Sequence, residues 1–355
     1  MFNDTELAHT TIEDARTIIT TYTGKPLRIM EVCGTHTHEI FRLGIRQLLP
    51  PKITLISGPG CPVCVTPVSY IDQALWLGLE QRAIICTFGD LIRVPGTTMS
   101  LGDARKEGLE LRLVYSPLDA IQIAKENPTR EVVFLSIGFE TTVPGECLAV
   151  QEAKAEGLAN FSLLLANKTM PEAYLALKNS ADAFLFPGHV CAITGTQDCR
   201  ALTKLGISGV VAGFTAQELM TALAAILILS RQDKPFFMNC YPRVVADCGN
   251  VAAQKLIQSI LAPCDSEWRG LGVIPKSGLK LREEFQDFDA QRRFHIPHLE
   301  SHANAACRCG DVLQGKCLPK DCKVFGKACT PTHPIGACMV SSEGTCAAYY
   351  QYGGM

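Results

Sequence analysis

The sequence has no long apolar run: its nearest approach, Leu219 to Leu229, falls far short of the roughly 18 to 20 residues that a membrane-spanning helix needs. It also lacks a basic start followed by an unbroken apolar core. The opening MFNDTELAHTTIEDARTIIT instead mixes acids with spaced apolar residues, so no secretory signal is expected and the cytoplasm is the expected location. No sign of charge dominates, with 33 Lys and Arg against 35 Asp and Glu and a formal net charge of -2. Non-specific nucleic-acid binding rests on a basic excess, so neither nucleic acid nor membrane is an expected partner. Short-period repeats and low-complexity tracts are missing. The turns FGDLIRVPG and GFETT lack the phosphate-cradling spacing of a P-loop or a GxGxxG, which leaves nucleotide binding without support.

Cysteine, by contrast, is plentiful. A chain of 355 residues with 17 cysteines and no export signal points away from disulfides and toward metal binding or thiol redox chemistry, because the cytosol keeps thiols reduced. Seven of the 17 fall between Cys307 and Cys346, and two more form a CxxC at Cys61 and Cys64.

From residue 26 to about 240, apolar β-rich runs alternate with helix-like stretches, the pattern of βα units feeding parallel sheets. The expected strands are LRIMEV, ITLIS, AIICTF, LRLVYS, EVVFLSI, FSLLLA, AFLFP, GVVAGF and FFMNC. The polar link NPTREVV divides them into two Rossmann-like α/β units. After Pro263 the regular strands give way to charge and then to the cysteine cluster. The expected organisation is an N-terminal helix (1–24, helical from Thr5 to Thr23) packed on another domain, a first α/β domain (25–125), a second (126–262), and a C-terminal iron–sulfur domain (263–355).

The chemistry-bearing residues fall just after expected strands: CGTHTHE (33–39), GPGCPVC (58–64), FGDLIRVPG (88–96), GFETT (138–142) and PGHV (187–190). Ligands of open α/β sheets bind at the carboxyl ends of the strands, so these loops are expected to converge. Cys33 with His36 and His38 joins a soft thiolate to imidazoles, a set that suits iron, nickel, copper or zinc; it also suits a nucleophile beside a base. Cys61 and Cys64 fit a redox dithiol or half of a zinc site. Asp90, Glu140 and His189 each follow a strand, where carboxylates also cap helices and histidines also serve as structural donors. The C-terminal segment offers Cys307, Cys309, Cys317, Cys322, Cys329, Cys338 and Cys346 on glycine- and proline-rich loops without the paired CxxC knuckles of a zinc ribbon. Its unequal gaps suit a [4Fe–4S] cluster. Four of Cys307, Cys309, Cys322, Cys329 and Cys346 are the expected ligands, with Cys309 preferred over Cys307 because Gly310 permits a tight turn, and with Cys338 and Cys317 as runners-up.

Taken together, MEVCGTHTHEI, GPGCPVCVTP, TFGDLIRVPG, IGFETT, PGHV and DCKVFGKACTP…GACMVSSEGTCAAYYQY closely resemble the HypD family of hydrogenase formation proteins, from about residue 28 to the C-terminus. The resemblance implies an assembly scaffold that, with a HypC-like chaperone, holds iron while two cyanides from a HypE–HypF complex and one carbon monoxide are attached. It implies iron-fragment binding at Cys33, with His36 beside it, and a redox dithiol at Cys61 and Cys64. It also implies supporting roles for Asp90, His189 and Glu343, and a [4Fe–4S] cluster near the C-terminus. Cys191 stands where the family would have a small residue such as Ser and is expected to be packing. The competing expectation is a thiol–disulfide oxidoreductase of the ferredoxin–thioredoxin reductase kind, which would not need Cys33 and its neighbours.

Overall fold

The computed structural model describes residues 10–353; the expected helical positions Thr5 to His9 lie outside them. All nine expected strands form. They are β1 (Leu27–Glu31), β2 (Ile53–Ser57), β3 (Ile84–Thr87), β4 (Leu111–Leu113), β5 (Val132–Ser136), β6 (Phe161–Leu165), β7 (Ala183–Pro187), β8 (Gly209–Ala212) and β9 (Phe237–Asn239). Every pairing among them is parallel. Helices cover both faces of such sheets, so the strands read as near-continuous apolar runs. Val132 to Ser136, for example, is buried at every position.

Two sheets result, one in the order β2-β1-β7-β8-β9 and one in the order β4-β3-β5-β6. The chain starts the first sheet, leaves to build the whole of the second, and returns. The expected division at 125/126 therefore does not coincide with a sheet boundary, since β4 and β5 on either side of it share a sheet. Of the polar residues that suggested a linker, Asn127 caps the preceding helix, while Arg130 pairs with Glu110 and Glu131 with Arg293. Asn127 Nδ2 donates to the Ile123 carbonyl (2.8 Å), and Asn160 Nδ2 donates to the carbonyls of Ala124, Asn127 and Arg130 (2.9 to 3.0 Å).

Each sheet has a switch point where the strand order reverses, between β1 and β7 in the first and between β3 and β5 in the second. These are the places where loops splay apart to admit ligands. The N-terminal helix Ile12–Thr20 buries Ala15 and Ile19 in the same apolar cluster as Leu219 and Leu223 of helix Ala216–Leu229. It thus belongs to the layer over the first sheet.

Regular strands do not end at Pro263. β10 (Leu261–Trp268) and β11 (Gly272–Leu281) form an antiparallel hairpin. Its first strand alternates buried ends with exposed polar positions, and Pro263, Asp265 and Glu267 hide it from a search for apolar runs. The cysteine-rich remainder is irregular apart from short turns and the helices Cys309–Leu313 and Thr345–Tyr352. Helix Thr345–Tyr352 lies on helix Gly34–Arg42 through Phe41 against Tyr349 (ring centroids 4.7 Å apart) and His38 against Tyr352 (5.4 Å). Among the described residues no helix is long and apolar enough to cross a membrane.

Candidate functional site: a line of thiols

Cys33 follows β1 and is the residue before helix Gly34–Arg42. His189 opens helix Gly188–Thr194, directly after β7. Because β1 and β7 are parallel neighbours, the two meet at the first switch point, with Cys33 Sγ 3.9 Å from His189 Nδ1 and 4.0 Å from Nε2. The thiol is 2% exposed, and burial foremost pushes its pKa up to about 12, the Glu343 carboxylate adding to the effect and the His36 backbone N–H opposing it. Burial also pulls His189 down to about 4, so the ring beside the sulfur is neutral; it stacks on Phe214 at 5.1 Å.

Glu343 reaches this site from the C-terminal segment, where its Oε1 accepts the Thr35 hydroxyl at 2.7 Å. The approach is so close that a Cβ on Gly34 would fall 2.5 Å from that of Glu343. The imidazole of His36 turns elsewhere. It is wholly buried, its Nε2 faces the carbonyls of Gly213 (3.0 Å) and Ala212 (3.3 Å), and its Nδ1 has no partner. Burial first, then His189, holds its pKa down near 3. His38 sits at the rim, with Nδ1 3.4 Å from the Ser342 carbonyl.

The CPVC motif follows β2, the other neighbour of β1, and its loop is pressed onto Cys33. The Gly34 N–H donates to the Gly60 carbonyl at 2.9 Å, and a Cβ on Gly60 would lie 2.1 Å from the Cys33 nitrogen. Cys61 precedes helix Pro62–Val65 and accepts the Cys64 N–H on its sulfur at 3.4 Å. Cys64 is fully buried, which drives its pKa well above the thiol range.

From Cys64 the sulfurs continue into the C-terminal segment. Cys64 Sγ faces the Ala337 carbonyl at 3.9 Å, next to Cys338, Cys338 Sγ is 2.6 Å from Cys309 Sγ, and Cys307 lies two residues before Cys309. Beyond them Cys307, Cys322, Cys329 and Cys346 line one small pocket with Cys309 and Cys338, among Val312, Val324, Phe325 and Met339. Gly336 is held there by space, since a Cβ would come within 2.4 Å of the Cys307 sulfur.

These residues fit an iron–sulfur group. The surround is apolar, and Cys329 already accepts the Ile335 N–H (3.3 Å), the kind of donor that tunes cluster thiolates. Cys346 is held protonated chiefly by burial, a condition that a bound cation reverses. Among the described residues no three histidine, cysteine or carboxylate side chains converge as single-ion ligands; a cubane takes one thiolate at each of four separated irons. Cys309, preferred from sequence, sits between Cys338 and Cys307 in the line of thiols.

The other expected residues lie apart. Asp90 is exposed and lines a groove with Arg93, Pro331, Val340 and Tyr350. Arg93 ties that loop to the C-terminal segment through the carbonyls of Pro331 (3.1 Å) and Val340 (2.8 Å). Glu140 is buried, with Oε1 accepting the Met170 N–H at 2.8 Å and Oε2 unpartnered; burial raises its pKa to about 7. Cys191 is fully buried, with its sulfur 3.9 Å from that of Cys199. Cys317 does not line the pocket. Sequence reasoning missed Phe214, which backs both His36 and His189, and Arg269, which lines a cleft with Cys307 and Cys309 from the hairpin turn. An arginine in WRGLG carries no signal of its own.

A family model described as HypD, hydrogenase formation hypA family, matches residues 6–353. Among curated proteins, the chain is 45% identical over 334 residues to hydrogenase maturation factor HypD of Escherichia coli K12, covering 92% of this chain and 90% of that protein. It is 44% identical over 340 residues to the HypD of Rhodobacter capsulatus (93% and 90% covered) and 43% identical over 343 residues to that of Cupriavidus necator (93% and 90%).

Proposed function

The chain belongs to the HypD family of hydrogenase maturation factors, and from that membership and the line of thiols we propose that it is a cytoplasmic scaffold on which the Fe(CN)2CO group is put together. The iron is cargo. It binds at Cys33 with a HypC-like chaperone supplying a facing ligand, and a HypE–HypF complex brings the cyanides. The observation that carries the reading is the placement of Cys33 against the CPVC loop, whose Cys64 in turn faces the segment that holds the Cys338–Cys309 pair and the cysteine pocket.

The residues divide the work by position. Cys33 is the thiolate ligand, and the neutral imidazole of His189 lies against its sulfur as the nearest side-chain base. Thr35 and Glu343 fix the C-terminal segment over the site. His36 acts through the fold: its ring anchors the helix that follows Cys33 to the end of β8. Asp90 stands outside the thiol line, on a face suited to partner contact.

Cys61 and Cys64 form the working dithiol. Oxidation of the Cys309–Cys338 pair to a disulfide releases two electrons and two protons, and exchange with a Cys61–Cys64 disulfide would pass the same two equivalents outward toward Cys33, leaving Cys61 and Cys64 as thiols. Cys307, Cys322, Cys329 and Cys346 are the four residues that would hold a [4Fe–4S] cluster, with Cys307 in place of Cys309. Such a cluster supplies electrons one at a time. The simpler reading, a thiol–disulfide oxidoreductase, accounts for the sulfur row but leaves Cys33 and His189 without a task.

Infrared spectra of the protein purified anaerobically with its HypC-like partner test the proposal. Cyanide and carbonyl stretching bands are expected in the wild type, lost in Cys33→Ala, and absent or much weakened in Cys61→Ser. Their absence from the wild-type complex overturns the scaffold in favour of the oxidoreductase. Full loading of Cys61→Ser removes the relay alone.

A further inference from the structure

One buried charge has no role in the account so far. Arg269 sits in the turn between β10 and β11 and is 8% exposed. Its Nε donates to the Thr66 carbonyl at 2.6 Å and its backbone N–H to the Val65 carbonyl at 2.8 Å. Both acceptors lie at the end of the CPVC helix. Its Nη2 is buried without any hydrogen-bond partner, and Arg269 takes part in none of the ion pairs among the described residues. Burying an unpaired guanidinium is costly unless something negative comes to meet it.

The thiols supply the place for that charge. Arg269 lines one cleft with Cys307 and Cys309. The hairpin turn is locked onto their segment, because a Cβ on Gly270 would lie 2.2 Å from Gly310 Cα and Gln314 Nε2 donates to the Gly270 carbonyl at 2.7 Å. Arg308, also at the pocket wall, is already occupied by Asp311 at 3.1 Å.

We propose that Arg269 is a positioning residue that offers its free guanidinium N–H and its charge to the iron–sulfur group of the cysteine pocket while its other donors hold the CPVC helix. One side chain then sets the reduction potential of the electron source and the placement of the dithiol it serves. The proposal rests on the reading of that pocket as a [4Fe–4S] site. A cubane with four thiolates is a net anion and becomes more negative when reduced, so a buried cation beside it favours the reduced form.

The test uses the full chain, reconstituted anaerobically with iron and sulfide, as wild type, Arg269→Met and Arg269→Lys. Redox titration followed by electron paramagnetic resonance should show the Arg269→Met potential shifted negative. At a fixed poise its reduced-to-oxidised ratio should fall about tenfold, equivalent to about 59 mV for one electron, and Arg269→Lys should lie between. The apoprotein of Arg269→Met should melt close to wild-type apoprotein, because the lost Nε bond to the Thr66 carbonyl is offset by removal of an unpaired buried charge. Loss of the cluster in Arg269→Met with an unchanged apoprotein melting temperature supports the same conclusion. A wild-type potential in Arg269→Met overturns it, as does an apoprotein melting temperature that falls in step with cluster loss. A wild-type chain that binds no cluster refutes the pocket reading itself, and the two failures are told apart in the first sample.

Discussion

Replacing Gly60 by alanine should both destabilise the protein and open the site. The added Cβ would stand 2.1 Å from the Cys33 nitrogen, 2.3 Å from Cys33 Cα and 2.5 Å from the Val32 carbonyl carbon. All three are backbone atoms at the end of a central strand and cannot rotate aside. Ordinary contact begins near 3.4 Å, so the CPVC loop must retreat by about 1 Å. Overpacking of this kind costs about 1 to 3 kcal/mol. The retreat also stretches the 2.9 Å bond from the Gly34 N–H to the Gly60 carbonyl, worth about 1 kcal/mol more. A loss of roughly 2 to 4 kcal/mol is then expected from a total of about 5 to 15. Urea unfolding should show the lower midpoint with an unchanged slope, and alkylation of Cys33 and Cys61 in the native state should accelerate. Gly145→Ala is the control: it lies within helix Val143–Ala155, where a Cβ meets only Pro117 at 3.8 Å, and it should be neutral or slightly stabilising. An unchanged midpoint with unchanged labelling of Cys33 in Gly60→Ala would refute the tight apposition of the two loops.

Glu140→Gln should stabilise the protein above neutrality. The folded carboxyl holds its proton up to about pH 7 against 4.5 for the free group, so between those values the folded state binds more protons than the unfolded one and stability falls as pH rises. The full penalty, on the order of 3 kcal/mol, applies above pH 7. Gln keeps an acceptor for the Met170 N–H and removes the charge. Thermal melts from pH 5 to 8 should flatten in the variant, with a residual slope from Glu146, which burial likewise raises to about 7; a wild-type pH profile in Glu140→Gln would contradict this. In the C-terminal segment, Cys307→Ser should lose most of its reconstituted iron and sulfide whereas Cys309→Ser keeps it, as read by metal analysis and visible absorbance. The reverse outcome would restore Cys309 as the ligand.

How much of this was legible depended on what each signal requires. The nine parallel strands were readable because burial on both faces leaves an apolar run, as in VVFLS and AFLFP. Their division between two sheets was not, since a strand does not encode which parallel neighbour it will meet after a crossover. The β10–β11 hairpin escaped because its exposed face carries Asp265 and Glu267. Clustering of late cysteines was plain, but their separate roles depend on which sulfur faces Cys64, a contact with Ala337 and Cys338 made across more than 270 residues. His36 and His189 show the same limit. The first is three residues from Cys33, yet one helical turn carries its ring to the β8 carbonyls; the second is 156 residues away and lies against the sulfur because its strand is adjacent.

That pairing of a buried thiol with a neutral base has a consequence for cargo binding. With Cys33 pushed up to about 12 and His189 pulled down to about 4, the empty site at neutral pH holds a protonated thiol and an uncharged ring. No ion pair is present to pre-form the thiolate. On the proposed reading, iron arriving at Cys33 would have to displace a proton, and the imidazole against the sulfur, with a dication beside it, would become a still weaker base. On that reading, tight iron binding by the isolated chain would be disfavoured by the same burial that would protect a finished, electron-rich fragment from water. On the proposed reading, a scaffold built this way would hold its cargo only while a second protein supplies the opposing ligand, which would tie release of the completed group to departure of that partner.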